Sequence, residues 1–449
     1  MPETSPRLGR PPPGGWNALI DEIVAGGWRD PRTGETRRVP YESVVLADSL
    51  AGRESELVGA LGLGVTYAVV SDEATRAAMG ERVAKALRAL GPVTEIVLDH
   101  PHADMGDVER LKDRLAGVDA VVAVGSGTVN DLCKYVTGLD GRRDCVFGTA
   151  ASMNGYTSTT ASITLASGLK VSLPSHGPSG VFIDLEVNAA APRRLAAAGF
   201  ADCLVRSVAQ VDWWMSHRLL GTLYTDLPYL LTTPDENELN SRAAALSEGD
   251  VTAVGYLQRV LTLCGFGVSF TGVSHHGSMG EHQISHYIDC FAGSRHPGTL
   301  HGQQVGVATL TLARLQQRIL ASETPPWVEP TEIDVAAMVR RMGSEVAEGC
   351  LAEFRKKAFD DAGARAFNVR LEAAWPELRR ECLEIAIPAD QLLRMLRAAG
   401  GPTNAYELGL PVEFYREAVV HCREMRNRFS FLDIAADAGW LEEFADGES

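Results

Sequence analysis

The sequence lacks any uninterrupted apolar run of about 20 residues, the length that a membrane-spanning helix needs. Residues 1–15 are rich in Pro and Gly and lack the apolar core of a signal peptide. The eight cysteines are scattered, without a single Cys-x-x-Cys pair, which predicts reduced and partly buried thiols. Together these absences predict a cytoplasmic protein that does not enter a membrane.

Positive charge is also scarce, since the 449 residues have a net charge of −16. Nucleic acids and anionic membranes attract basic surfaces, so this balance argues against both as partners. Small anionic substrates remain possible because they need only a local basic pocket. The length allows two or three domains at ~150 residues each.

One stretch has the pattern of a phosphate-binding turn. Ala120 to Val124 is a short apolar run that predicts a buried strand of a parallel sheet. Gly125 and Gly127 follow it, and a helix is predicted from Asn130 onward. A strand, a glycine turn and a helix N-terminus together can bind a phosphate group. Because position 130 is not Gly, the dinucleotide fingerprint is incomplete, and a tight turn without a ligand stays open.

Strand and helix patterns alternate up to about residue 190, which indicates βαβ units and a parallel sheet. Helical patterns dominate afterwards. We therefore predict an α/β, Rossmann-like domain followed by an all-α domain, divided near Pro192. Asp72 ends one predicted strand, where it can bind a ribose or simply cap a helix. The predicted division is a flexible tail and connector (1–40), a cofactor-binding domain (41–191) and a metal- and substrate-binding domain (192–449).

Six of the eleven histidines lie between residues 275 and 301. His282 and His286 are four residues apart and share one face of a predicted helix, and His301 begins the next helix. Neutral imidazoles on neighbouring helices are natural ligands for zinc, nickel or iron. Asp202 is a candidate for a third ligand, although spacing alone cannot select it. A set of hydrogen-bonded histidines without a metal is the alternative.

Four ordered motifs resemble those of the glycerol-1-phosphate dehydrogenase family. This family belongs to a wider group with iron-type alcohol dehydrogenases, glycerol dehydrogenases and dehydroquinate synthases. Two C-terminal segments, 413–416 and 426–433, also resemble its bacterial branch. The four motifs are Gly-Ser-Gly-Thr-Val-Asn-Asp-Leu-Cys-Lys-Tyr (125–135), Thr-Ala-Ala-Ser-Met-Asn-Gly-Tyr-Thr-Ser (149–158), Gly-Glu-His-Gln-Ile-Ser-His (280–286) and Leu-His-Gly-Gln-Gln-Val-Gly (300–306).

The resemblance implies an NAD(P)-dependent, metal-dependent enzyme with its active site in a cleft between the two domains. It implies a homodimer or larger homo-oligomer and a role in phospholipid metabolism. The implied metal ligands are Asp202, His282 and His301, with Zn²⁺ first and Ni²⁺ or Fe²⁺ as alternatives. The implied cofactor-binding residues are Asp72, Gly125, Ser126, Gly127, Thr128, Val129, Thr149, Ser152 and Ser158. Asp131 would face the nicotinamide, and His286 would contact the substrate.

The expected reaction is hydride transfer between NAD(P)H and dihydroxyacetone phosphate, giving sn-glycerol 1-phosphate. His286 would relay a proton, and Arg206 could bind the substrate phosphate. The family usually has Asp where this chain has Asn154, and Pro where it has Gly148. Asn154 keeps open a dehydrogenase of another polyol or polyol phosphate, and a catalytically inactive binding protein. A dehydroquinate-synthase-like lyase is a more distant alternative.

Overall fold

The computed structural model describes residues 10–449, so the first nine residues of the predicted tail lie outside the described range. The chain forms two compact units. The first contains the residues up to Phe200 together with Leu227–Val273. The second contains Ala201–Asp226 together with Ser274–Ser449.

Eight strands lie in the first unit, and their positions confirm the predicted α/β fold. Six of them form one parallel sheet in the order β1-β8-β5-β4-β2-β3, and β6 and β7 form an antiparallel hairpin. All six residues of the strand at Ala120–Gly125 are buried, as expected for the interior of a parallel sheet. The strands are β1 (Ser43–Ala47), β2 (Tyr67–Asp72), β3 (Val93–Leu98), β4 (Ala120–Gly125), β5 (Arg143–Gly148), β6 (Thr160–Thr164), β7 (Lys170–Pro174) and β8 (Gly180–Asp184).

Helices connect most of these strands and make up the larger part of the remaining described chain. A π-helical turn at Arg76–Gly80 joins the third and fourth helices. The first twelve helices are α1 (Ala18–Val24), α2 (Glu54–Leu61), α3 (Glu73–Thr75), α4 (Glu81–Leu87), α5 (Met105–Arg114), α6 (Gly127–Asp140), α7 (Leu185–Ala190), α8 (Arg193–Leu204), α9 (Arg206–Leu220), α10 (Leu227–Ser241), α11 (Ala243–Glu248) and α12 (Val251–Thr271). The others are α13 (Gly280–Phe291), α14 (His301–Leu320), α15 (Val335–Met342), α16 (Ser344–Phe354), α17 (Asp361–Ile385), α18 (Ala389–Ala398), α19 (Ala405–Leu408), α20 (Val412–His421), α21 (Phe431–Asp437) and α22 (Leu441–Asp446).

The direction in which the chain crosses the parallel sheet reverses between β2 and β4. From β2 the chain continues outward to β3, whereas from β4 it continues in the opposite direction through β5 to β8. The two strands pair from Tyr67 with Ala120 to Val70 with Ala123, and both continue beyond the last pair. Ligands of open α/β sheets bind at such a reversal, at the carboxyl ends of the strands. Asp72 and Gly125 are the last residues of these two strands.

Part of the predicted flexible tail is ordered against the sheet. The side chain of Asn17 exchanges two hydrogen bonds with the backbone of Leu46 in β1, each 2.8 Å long. Trp16 and the α1 residues Ile20 and Ile23 are buried. Residues 16–24 of the predicted tail and connector (1–40) therefore form a packed element, because apolar side chains at helical spacing pack against β1.

The first unit also includes α10 to α12, beyond the boundary predicted near Pro192. The rings of Phe266 and Phe270 in α12 stack on Tyr41 and Trp28. These contacts join residues more than 200 positions apart. The change near residue 190 from alternating strands and helices to helices alone therefore does not mark the boundary between the two units.

The same helix is the one described segment that is long and apolar enough to cross a membrane by length and composition. In its most apolar 18-residue window, however, 78% of the residues are buried inside the protein. A buried core helix in a folded domain has this composition, and α12 fits that description.

The second unit contains helices without a strand among its described residues. Its centre is formed by α13 and α14, whose residues are mostly buried. Glu281 and Gln304 are fully buried polar residues within these two helices. Buried polar groups need hydrogen-bond partners, so the contacts of Glu281 and Gln304 show which neighbouring groups they hold in place.

A matched pair of glycine substitutions tests the packing at the end of β4. A Cβ atom on Gly125 would lie 2.5 Å from Cβ of Val129, whereas one on Gly127 would lie 3.5 Å from Cγ of Met153. We expect Gly125→Ala to destabilise the protein by ~1–3 kcal/mol through overpacking. Gly127→Ala should change the melting temperature little. Thermal unfolding of both variants measures the difference, and equal melting temperatures would contradict this packing.

Candidate active site

The end of β4 leads directly into a helix whose first turn has no side-chain cap. Ser126 is the N-cap residue of α6, and its side chain makes no capping hydrogen bond. The first intrahelical bond runs from the Asn130 amide to the Ser126 carbonyl at 3.0 Å. The amide groups of Gly127, Thr128 and Val129 precede it, as at any helix N-terminus. This turn can therefore bind an anion through backbone N–H groups and the helix dipole.

Asp72, at the end of β2, has the helix-capping role that the sequence left open. Its Oδ1 accepts a hydrogen bond from the Thr75 amide at 2.8 Å, and Thr75 Oγ1 accepts one from the Asp72 amide at 3.0 Å. This capping box holds the carboxylate at the carboxyl end of β2. Oδ2 makes no hydrogen bond within residues 10–449 and can still accept one from a ribose hydroxyl.

The hydroxyl-rich loop 149–158 is fastened to the end of β4. The Gly125 carbonyl accepts hydrogen bonds from the Thr149 amide and from the Tyr156 hydroxyl, both at 3.1 Å. Ser158 contacts the Thr160 hydroxyl at 2.9 Å within the same unit. Ser152 is half-buried in this loop. The loop therefore lies beside the strand–helix turn, as the resemblance implies for residues that line a cofactor.

Gly148, which replaces the usual Pro before this loop, has a packing role. A Cβ atom there would lie 2.6 Å from Cδ1 of Ile183 and 3.0 Å from the ring of Tyr156. The absence of a side chain at position 148 thus allows Tyr156 to pack on the end of the sheet. The sequence suggested only a change in loop rigidity at this position.

Asp131 is tied into the structure by three groups. Its Oδ1 lies 3.0 Å from the amide of the Asn130 side chain and 3.4 Å from Nζ of Lys134. Its Oδ2 accepts a hydrogen bond from the Ser162 amide at 3.1 Å. Lys134 is fully buried and also donates to the Gly155 carbonyl at 2.9 Å. Sequence reasoning missed Lys134, which holds the loop of Asn154 against α6.

Asn154, the residue that departs from the family pattern, makes one weak contact with its side chain. Its Nδ2 lies 3.5 Å from the Cys264 sulfur in α12. A thiol is a poor hydrogen-bond acceptor, so the Asn154 amide would lose only this weak contact on binding a substrate hydroxyl.

In the second unit, three candidate ligands from separate helices meet at one point. Asp202 lies in α8, His282 in α13 and His301 begins α14. One ligand atom from each lies within 4.8 Å of the other two. Nε2 of His282 is 3.6 Å from Oδ1 of Asp202, and the two imidazole centroids are 5.0 Å apart. A carboxylate and two imidazoles at this spacing fit one divalent cation.

Hydrogen bonds at Nδ1 determine which nitrogen of His282 is available. The fully buried Glu281 places Oε1 2.8 Å from Nδ1 of His282, and the same oxygen accepts the Met279 amide at 2.8 Å. Nδ1 therefore has the proton, and Nε2 keeps its lone pair on the side of Asp202. A carboxylate behind a ligating histidine is a common arrangement in metal sites.

His301 is oriented by a hydrogen-bond chain with a defined direction. Gln304 donates through Nε2 to Oδ1 of Asp289 at 3.0 Å, so its Oε1 must accept the Ser285 hydroxyl proton at 2.9 Å. Ser285 has then spent its only proton and accepts from Nδ1 of His301 at 3.0 Å. Nε2 of His301 is left with a lone pair, so both histidines present the same nitrogen to the site.

His286 and Arg206 lie near these ligands along their helices. The ring of His286 is buried, 5.5 Å from that of His301 and 6.1 Å from that of His282 between centroids. Arg206 begins α9, and only Val205, with helical backbone angles, separates it from α8. Arg206 therefore stays about one helical turn from Asp202.

Known proteins resemble this chain in sequence over much of its length. Residues 45–192 match the profile of the iron-containing alcohol dehydrogenase family. Glycerol-1-phosphate dehydrogenase [NAD(P)+] of Methanothermobacter thermautotrophicus is 34% identical over 248 residues, 55% of this chain and 70% of the relative. The chain belongs to the glycerol-1-phosphate dehydrogenase family. The Bacillus velezensis enzyme of the same name is 26% identical over 374 residues, covering 82% of this chain and 84% of that enzyme.

Solved structures show the same fold at lower identity. A probable glycerol dehydrogenase from Sinorhizobium meliloti has a TM-score of 0.58 at 19% identity, covering 88% of this chain and 96% of its own. Glycerol dehydrogenase from Schizosaccharomyces pombe has a TM-score of 0.59 at 16% identity, covering 91% and 90%. Membership of the glycerol-1-phosphate dehydrogenase family therefore rests on sequence, and the structures establish the fold.

Glu281 is the residue next to the candidate ligands that sequence reasoning missed. Its position directly before His282 was the only available signal. We expect Glu281→Gln to weaken divalent metal binding by about 10- to 100-fold, because the neutral side chain no longer raises the basicity of His282. Competition with a chelator measures the affinity, with the exposed Glu443→Gln as the matched control. Unchanged affinity in Glu281→Gln would contradict an orienting role.

Proposed function

We propose that this protein is a metal-dependent, NAD(P)-linked dehydrogenase that interconverts dihydroxyacetone phosphate and sn-glycerol 1-phosphate. The meeting of Asp202, His282 and His301, with both histidines oriented through Nδ1, is the observation that supports it best. Relatives named glycerol-1-phosphate dehydrogenase [NAD(P)+] are consistent with this reaction.

Asp202, His282 and His301 would hold the metal, with Zn²⁺ as the first candidate and Ni²⁺ or Fe²⁺ as alternatives. When bound, a divalent ion supplies a Lewis acid that polarises a carbonyl and stabilises an alkoxide. Glu281 and Ser285 would keep the two imidazoles in the required tautomer. The buried ring of His286 would bind the substrate and relay a proton at a substrate hydroxyl.

The first unit would bind NAD(P) at the edge where β2 and β4 end. The amides of Gly125, Ser126, Gly127, Thr128 and Val129 would hold the pyrophosphate, and Thr149, Ser152 and Ser158 would line the cofactor. Asp72 would accept a ribose hydroxyl. Asp131 would act on the nicotinamide side, held there by Lys134 and the Ser162 amide.

Substrate choice depends on Asn154 and on the groups that bind the phosphate. The Asn154 amide would hydrogen-bond a substrate hydroxyl without contributing a charge. For this reason a dehydrogenase of another polyol or polyol phosphate is the second candidate function. Arg206, near Asp202, is one candidate for the phosphate.

The family resemblance also motivates proposals about the setting of the enzyme. We propose a cytoplasmic homodimer or larger homo-oligomer that supplies phospholipid metabolism.

A substrate panel and one ligand variant test the proposed reaction. We expect NADH oxidation with dihydroxyacetone phosphate to exceed that with other C3 to C5 ketones and their phosphates. His301→Ala should lose metal and activity together, measured by metal analysis and by NADH absorbance. Retained activity in this variant would refute the ligand assignment. A metal-bound protein that oxidises no NADH with any phosphorylated ketone would refute the dehydrogenase.

The cofactor preference tests the role of Asp72. Because its carboxylate would repel a 2′-phosphate, we expect a higher kcat/KM with NADH than with NADPH. Asn at position 72 can still cap α3. Asp72→Asn should therefore bring the kcat/KM values for NADH and NADPH closer together without unfolding the protein. Kinetics with both cofactors and a melting curve measure the two effects. An unchanged ratio would place the adenosine ribose elsewhere.

A further inference from the structure

Two arginines beside α13 form no ion pair with any carboxylate in residues 10–449. Arg426 and Arg428 lie two residues apart, and neither forms an ion pair with a carboxylate in the part of the chain that the structure describes. Arg426 has extended backbone angles and makes no hydrogen bond through its side chain to any described residue. Partly buried guanidinium groups in proteins are normally paired, so two unpaired ones together are unusual.

Arg428 is fixed in place by residues around the start of α13. Its guanidinium donates to the backbone carbonyl and to the hydroxyl of Ser278, the latter at 2.8 Å, and to the Ser274 hydroxyl at 2.9 Å. Its own carbonyl accepts from Nε2 of Gln283 at 3.2 Å and from Nζ of Lys357 at 3.0 Å. Gln283 directly follows His282. The arginine is therefore anchored beside the first turn of the helix that holds a candidate metal ligand.

The remaining donors point to a ligand rather than to a structural role alone. A guanidinium has five N–H donors, and the hydrogen bonds to Ser274 and Ser278 use three of those of Arg428. Arg426 keeps all of its donors. Nδ1 of the neighbouring His275 is also buried without a hydrogen bond within residues 10–449.

The electrostatics of this group favour an anion. Burial lowers the pKa of Arg426, and burial together with the Arg426 charge lowers the pKa of Arg428 to about 9. Burial and the two arginines lower the pKa of His275 to about 3, so this imidazole stays neutral. Glu281 is the carboxylate whose charge reaches Arg428, but it forms no ion pair with Arg428 in residues 10–449, and its Oε1 is bonded to His282 and to the Met279 amide. A bound dianion would relieve the repulsion between the two cations.

The segment with the two arginines lies beside α13. The backbone carbonyl of Arg428 accepts a hydrogen bond from Gln283 in the first turn of this helix, and the thiol of Cys290, near its end, is the ionisable group that acts on Arg426. His282, His286 and Cys290 follow one another at intervals of four, which places them along one side of the helix. The arginine pair thus lies along the helix that positions His282 and His286.

We propose that Arg426 and Arg428, assisted by His275, bind the phosphate group of a phosphorylated C3 substrate. This assignment rests on the proposed function and makes the pair, rather than Arg206, the principal phosphate site. Two planar guanidinium groups suit a phosphate monoester because each can form paired hydrogen bonds to its oxygens. The arginines would then distinguish phosphorylated from unphosphorylated ketones.

Substitution of Arg426 tests the assignment with little risk to folding, because its side chain gives up no hydrogen bond. We expect Arg426→Ala to raise the KM for dihydroxyacetone phosphate and the inhibition constant of inorganic phosphate by about 10-fold or more. Arg426→Lys should recover part of the lost phosphate binding, because lysine keeps the positive charge but lacks the paired N–H groups of a guanidinium. Metal content and the weak turnover of unphosphorylated dihydroxyacetone should stay unchanged. Arg394→Ala, which removes an exposed arginine of the same unit, should behave as the wild type.

Three outcomes are informative. If Arg426→Ala and Arg428→Ala bind phosphate as the wild type does while Arg206→Ala does not, the pair is not the site. An equal loss with dihydroxyacetone and its phosphate would also overturn the proposal. If the wild type reduces no phosphorylated ketone, the proposed function fails. The affinity for inorganic phosphate, measured by calorimetry, still tests whether the arginines bind an anion. Weaker phosphate binding in Arg426→Ala would then support the anion site by itself.

Discussion

The hydrogen bonds at Nδ1 of His282 and His301 are the interactions on which the rest of the candidate metal site depends. Each fixes a tautomer and leaves Nε2 with a lone pair. The partner of His282 is Glu281, and the partner of His301 is Ser285. Both partners lie in α13. One buried helix therefore supplies a ligand, the group behind that ligand and the group behind the second. These partners are held by further hydrogen bonds to Met279 and Gln304, so the orientation of both candidate ligands is fixed by the protein itself.

A different constraint acts in the first unit. The chain leaves two neighbouring strands of the parallel sheet, β2 and β4, in opposite directions, and ligands of such sheets bind beyond the carboxyl ends of these strands. The last residues of these strands are Asp72 and Gly125, and the uncapped first turn of α6 follows at once. Gly125 is needed there because Val129 packs against it, which is a reason of packing rather than of ligand approach. The backbone amides of the first turn of α6 are the groups that can bind an anion there.

Local patterns in the sequence predicted most elements and part of the site. The strands and the shared face of His282 and His286 follow from periodicity, which depends only on neighbouring residues. Asp202 is 80 positions from His282, so only the family resemblance could select it. The roles of Glu281 and Ser285 depend on side-chain rotamers and on which atom accepts a proton, which spacing does not encode. The burial of Trp16 against Tyr256 is likewise a contact between distant residues, which a local pattern does not reveal.

The stereochemistry of the product tests the central claim most directly. The metal-loaded protein would be supplied with dihydroxyacetone phosphate and NADH, and the glycerol phosphate formed would be resolved into its enantiomers. The account predicts sn-glycerol 1-phosphate alone, because this enantiomer is the product of the proposed reaction. Formation of sn-glycerol 3-phosphate or of a racemate would contradict it.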